Sequence, residues 1–134
     1  MSNVPKNFAV WVKKRRELLR IPRRVLAVYT GVDPTVIYKL EKYGYYPIRE
    51  QDKVRIYSFL EKVYTDYVSF GLSGYNWKYN EWIGNELGKR NITLWDLARK
   101  TNLKYITLSF YKQGIRTPKI DPIYKIGIFF KINK

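Results

Sequence analysis

An all-α chain, built from two tandem copies of one helical unit, is the fold class this sequence predicts. Three observations predict it. A single offset aligns the chain with itself: Ala27 and Ala98 stand 71 positions apart, and the same shift, without a gap, sets Trp11 on Trp82, Ile21 on Ile92, Leu26 on Leu97, Ile37 on Leu108, Pro47 on Pro118 and Phe59 on Phe130. A register that superposes tryptophans, helix-core aliphatics and a loop proline marks two copies of one supersecondary unit. Apolar residues within each copy recur at helical spacing. Proline, glycine and asparagine divide each copy into short helices.

In the first copy, Phe8, Trp11, Val12, Leu18 and Leu19 place a helix over residues 7–19, with Arg15 and Arg16 between them. Ile21-Pro22 stops it, and the proline suits the first turn of the next helix. That helix, residues 23–29, turns Leu26 and Ala27 inward. Thr30-Gly31-Val32 reads as a tight turn in which glycine permits a left-handed backbone. Asp33 is a good N-cap and Pro34 a good first residue for a third helix that runs to about Tyr43. It buries Val36 or Ile37 together with Leu40, and Gly44 ends it. After Pro47, the residues Val54, Tyr57, Leu60, Tyr64 and Tyr67 form one stripe, widened by Ile56 and Val63. This predicts a helix from about Arg49 to Phe70 with no Gly or Pro to break it; its end is a candidate packing surface for the second copy.

Gly71-Leu72-Ser73-Gly74 is the expected break, giving a first domain over residues 1–70 and a second over 75–134. Tyr75 to Asn80 lead into a helix with Trp82, Ile83 and Leu87. Asn91-Ile92-Thr93 forms the next turn, with Thr93 as N-cap before Leu97-Ala98. A turn at Thr101-Asn102-Leu103 precedes a third helix from about Lys104 to Gln113, ended by Gly114. Asp121-Pro122 reads as N-cap and first residue of a last helix, Ile123 to Phe130, shorter than its counterpart.

Leu26-Ala27, Gly31-Val32, Ile37 and Leu40-Glu41, followed by Pro47, resemble the signature of Cro and phage-repressor type (XRE-like) helix-turn-helix domains. The resemblance implies two tandem lambda-repressor-like helix-turn-helix bundles. It implies that a small residue in the second helix lets the third approach, and that Glu41 pairs with Arg16. The second copy departs from the pattern: Asn102 replaces the turn glycine, Leu87 and Lys112 stand where Arg16 and Glu41 stand, and Leu94 replaces a polar residue at the start of the second helix. Asparagine tolerates the left-handed region, so the turn can survive. The resemblance covers about residues 7–65 and 77–132 and is closer in the first copy.

In such a motif the third helix enters the major groove with its N-terminal half toward base edges. The resemblance therefore implies that Thr35, Tyr38, Lys39 and Lys42 face bases, while Arg23 and Arg24 face phosphates. The competing readings are a solvated helix face for Lys39 and Lys42 and partial core for Tyr38. In the second copy the same positions are Tyr105, Ile106, Ser109 and Phe110, with Lys104 beside them, an unusually apolar set. It serves a methyl-reading DNA helix, a packing surface for the first copy or a second chain, or a site for another protein.

Composition narrows the chemistry. The chain of 134 residues has no cysteine and no histidine, which excludes zinc fingers, disulfide frameworks and thiol catalysis. Only 11 Asp and Glu are present, none in a recognisable catalytic spacing, so no enzyme, cofactor or metal site is expected. The net charge of +15 points to a polyanion, with surface solubility as the bland alternative. It is shared: residues 1–70 hold 14 Lys and Arg against 7 acids, and residues 71–134 hold 12 against 4. No run is apolar enough to cross a membrane, and Met1 to Lys6 lack the core of a signal peptide. The expected setting is the cytoplasm, in association with the nucleoid.

The expected function is sequence-specific binding of double-stranded DNA by a small transcriptional regulator, a repressor in the first instance. A homodimer or an intrachain pseudo-dimer would bring two reading helices to one site, with no membrane partner. Two alternatives stand: a protein-interaction module that uses the second domain (an antitoxin or mobile-element inhibitor), and a sequence-blind DNA binder.

Overall fold

Capping residues and left-handed turns cut the chain into short helices. The computed structural model describes residues 4–44, 46–72 and 78–132. These described residues form eight helices and no strand: α1 Phe8–Leu18, α2 Arg23–Thr30, α3 Pro34–Tyr43, α4 Glu50–Phe70, α5 Tyr79–Arg90, α6 Leu94–Thr101, α7 Tyr105–Gln113 and α8 Ile120–Ile132. The architecture is all-α. The chain forms two compact units, Met1–Thr65 and Asp66–Lys134, and the boundary falls within α4. Gly71 follows α4 with φ 99° and Leu72 is buried, whereas Ser73, Gly74 and residues 75–77 lie outside the described residues.

In unit 1, the Asp33 carboxylate accepts from the Thr35 N–H at 2.7 Å and Pro34 opens α3. Gly31 and Gly44 close α2 and α3 with φ of 74° and 72°, a conformation that costs glycine least. The core gathers Phe8, Val12, Leu19, Ile21, Leu26, Ala27, Val32, Ile37, Leu40, Ile56, Leu60 and Val63. Thr30 is buried because its Oγ1 donates back to the Leu26 carbonyl at 2.7 Å, which satisfies the hydroxyl inside the helix.

Helix α4 is continuous, but it buries only one side of the expected stripe. Asp52, Ile56, Leu60, Val63, Tyr67 and Phe70 are buried, while Val54 and Tyr64 are exposed and Tyr57 is half-buried. Two adjacent apolar stripes satisfy the same helical period, and packing selects one. The rings on the other flank still contact side chains of α1: Tyr57 meets Trp11 edge-on at 5.1 Å, and the Arg15 guanidinium lies 4.3 Å from the Tyr64 ring centroid. Arg15 also pairs with Glu61 at 2.5 Å.

Unit 2 repeats the helix starts of unit 1. Phe8 and Tyr79, Arg23 and Leu94, and Pro34 and Tyr105 each begin a helix at the 71-residue offset. The backbone specials repeat as well: Gly31 and Asn102 are left-handed, and so are Arg20 and Asn91. Ala27 and Ala98 are both buried, and Thr101 donates to the Leu97 carbonyl at 2.7 Å as Thr30 does to Leu26. Thr93 caps α6 in a reciprocal box, accepting from the Asp96 N–H while the Asp96 carboxylate accepts from the Thr93 N–H. The last helix starts earlier than expected, so Asp121 and Pro122 lie in its first turn. Proline is tolerated there because the first-turn N–H groups have no carbonyl partner in the helix. Within unit 2, Gly127 faces the Phe70 ring so closely that a Cβ would stand 2.3 Å from it.

Candidate nucleic-acid interface

The basic face of unit 1 is organised by one nearly buried carboxylate. Arg16 grips Glu41 with two parallel bonds, Nε to Oε2 at 2.8 Å and Nη2 to Oε1 at 2.7 Å. Its Nη1 donates to the Ile21 carbonyl at 3.1 Å, which ties the α1–α2 loop to the same guanidinium. The Glu41 side chain is only 2% exposed and Arg16 only 12%, so this fork ties α1 to the end of α3. Arg23 adds a third member, with Nη1 at 3.3 Å from Glu41 Oε1. Arg23 is therefore anchored rather than loose, and its guanidinium lies 5.2 Å from the Tyr38 ring centroid. Lys42 approaches the same ring at 5.4 Å, so Tyr38 carries cations from α2 and from its own helix.

The remaining expected contact residues of unit 1 reach solvent. Arg24 and Thr35 are exposed near the starts of α2 and α3. Lys39 is half-buried, with its ammonium 5.5 Å from the Tyr46 ring centroid. Lys42 is exposed. Thr35, Tyr38, Lys39 and Lys42 share α3, and Arg23 and Arg24 open α2. Together they make a cationic, aromatic surface that can meet anions and planar groups.

The equivalent face of unit 2 is built differently. Lys104 precedes α7 and is exposed, as are Tyr105 and Ile106. Ser109 is half-buried, and its Oγ accepts from Gln113 Nε2 at 2.9 Å. Phe110 is half-buried, with the Arg116 guanidinium 5.7 Å from its ring centroid. Sequence reasoning missed Trp95. It stacks on Tyr105 with ring centroids 4.0 Å apart and planes 14° off parallel, yet stays 61% exposed. The available signal was its position, off the Leu97, Ala98 and Thr101 stripe that α6 buries.

Sequence reasoning also missed a cleft of about 710 Å³ within unit 2, lined by Leu87, Ile92, Leu94, Trp95, Ser109 and Lys112 among others. Four of these occupy the positions of Arg16, Arg23, Tyr38 and Glu41 in unit 1. The interlocked cluster of unit 1 is replaced here by shorter side chains and one cation.

Two groups in unit 2 have perturbed acidity. The Asp96 carboxyl is held below the usual carboxylate range, first by the Thr93 N–H, then by the Thr93 hydroxyl and Arg99. Burial pushes the Tyr111 phenol up. Among the described residues no cluster of three or more Asp and Glu could hold a metal ion, and no helix is long and apolar enough to cross a membrane. No family model matches the chain, and neither a curated protein nor a solved structure shows significant similarity to it.

Proposed function

We propose that the chain is a sequence-specific double-stranded DNA-binding protein, a transcriptional regulator of the repressor kind, carrying two tandem helix-turn-helix units. One observation carries the reading: α2 and α3 are short helices joined at a left-handed Gly31, Arg23 and Arg24 open α2, α3 is exposed at its start and carries Lys39 and Lys42, and α6 and α7 repeat the two-helix backbone, though not these cations, at the same offset around Asn102. In this geometry α3 is the major-groove reader. Lys39 donates to guanine, and Thr35 hydrogen-bonds a base edge or touches a thymine methyl. Arg24 holds phosphate. Arg23 contributes charge while bracing Glu41. In unit 2, Lys104 supplies a phosphate contact, and Tyr105, Ile106 and Phe110 offer apolar rather than hydrogen-bonding surface. The two halves therefore recognise unlike half-sites.

Selection from a random duplex library tests this, followed by two variants. Lys39→Ala is expected to lose about 1–3 kcal/mol at the selected site and to relax specificity at one base pair. Arg24→Ala is expected to weaken every sequence alike and to lower the salt slope by about one. A library that yields no enriched sequence refutes sequence-specific reading.

A further inference from the structure

The cleft of unit 2 stands where unit 1 holds its ion-pair cluster, and its lining has a definite chemistry. Positions held in unit 1 by Arg16, Arg23, Tyr38 and Glu41 carry Leu87, Leu94, Ser109 and Lys112. The cleft's volume of about 710 Å³ lies within the usual range of small-ligand sites, roughly 300–1,000 Å³. Leu87, Ile92 and Leu94 give it an aliphatic wall. Lys112 is exposed and has no acidic partner among the described residues. Trp95 and Tyr105 also line it, already stacked face to face, and an indole left 61% exposed is a costly surface to present to water without a use. Ser109 Oγ accepts from Gln113, which leaves its own O–H proton to donate.

We propose that this cleft binds an unpaired nucleotide, its base stacked against the Trp95–Tyr105 pair and its phosphate held by Lys112. A pre-stacked aromatic pair extends naturally by one more ring, and every base has a π-face, so stacking is tolerant of sequence. The aliphatic lining suits the sugar and the base face. Ser109 can donate to a base carbonyl. The ligand comes either from a single-stranded stretch of nucleic acid or from a free nucleotide, and both present the same base and phosphate. The inference rests on unit 2 alone, so it stands or falls apart from duplex reading by α3.

The test uses the full chain and a short fluorescein-labelled thymidine single strand, followed by fluorescence anisotropy. Wild type is expected to bind, and Trp95→Ala to bind about tenfold or more weakly, the loss of one stacked base. A second variant, Leu87→Arg with Lys112→Glu, installs the ion pair of unit 1 in the cleft. It is expected to match the loss of Trp95→Ala while keeping the duplex affinity of the selected site, which shows that the variant is folded. Competition by thymidine monophosphate assigns the cleft to free nucleotides as well; competition by unlabelled strand alone assigns it to single-stranded nucleic acid. Equal strand affinity in wild type and the refilled-cleft variant overturns the proposal, because binding would then be charge attraction elsewhere on the surface.

Discussion

At the scale of single residues, Glu41 shows how position sets energetic weight. Its carboxylate is almost fully buried and takes both arms of Arg16, so each partner's desolvation is offset by the other. Arg16→Met would leave Glu41 with Arg23 alone. The expected cost is about 3 kcal/mol, the low end for a buried pair broken on one side. The triple change Arg16→Leu, Arg23→Leu, Glu41→Lys reproduces the unit 2 set at these positions and removes every member of the cluster, so it is expected to cost less than the single change. Urea denaturation of the wild type and the two variants checks this, and a larger loss in the triple variant would contradict it. Asp96 makes the contrasting case. It is half-buried, and its raised acidity arises from the reciprocal cap on α6. A carboxyl that is more acidic folded than unfolded stabilises the protein above the unfolded value. That stabilisation is lost as pH falls through the lower folded value. Melting temperature is therefore expected to decline below about pH 4. Asp96→Asn is expected to remove part of that acid dependence, seen as a shallower slope of melting temperature against pH.

At the scale of helices, Ala27, Ala98 and Gly127 place residues with little or no side chain at buried positions. Ala27 lies buried on α2, and Ala98 is buried at the equivalent position of α6. Ala27→Leu is expected to overpack the α2–α3 crossing and to cost about 1–3 kcal/mol. Thermal melts of Ala27→Leu and Ala98→Leu should fall together, and an unchanged melting temperature in both would show that the crossing is looser than their burial implies. Gly127 on α8 is tighter still, since a Cβ there would collide with the Phe70 ring. Gly127→Ala is expected to destabilise even though alanine favours helix, because the collision outweighs a propensity gain of about 1 kcal/mol. Far-UV circular dichroism during a urea titration reads the sign.

For the molecule as a whole, charge is the dominant property. A net +15 on 134 residues, spread over both halves, would make the proposed duplex binding an ion-exchange reaction. If five to seven phosphates are engaged, affinity is expected to fall by about two to four orders of magnitude between roughly 50 and 200 mM salt. Fluorescence anisotropy across that range checks it, and a flat response would remove nucleic acid from the reading altogether.

The sequence by itself determined the all-helical class, the repeat and most helix ends. These depend on short-range terms: apolar spacing along one helix, the Asp33 and Thr93 caps, and left-handed turns at Gly31 and Asn102. The Arg16–Glu41 pair was legible too, because a family resemblance ties those two positions together. Only the tertiary structure decided which stripe of α4 is buried, since Val54, Tyr57 and Tyr64 fit the helical period as well as Ile56 and Val63 do. It alone brought Trp95 onto Tyr105 and opened a cleft where unit 1 holds an ion-pair cluster. Such features depend on side-chain volume summed across three helices, a quantity that no periodicity along the chain encodes.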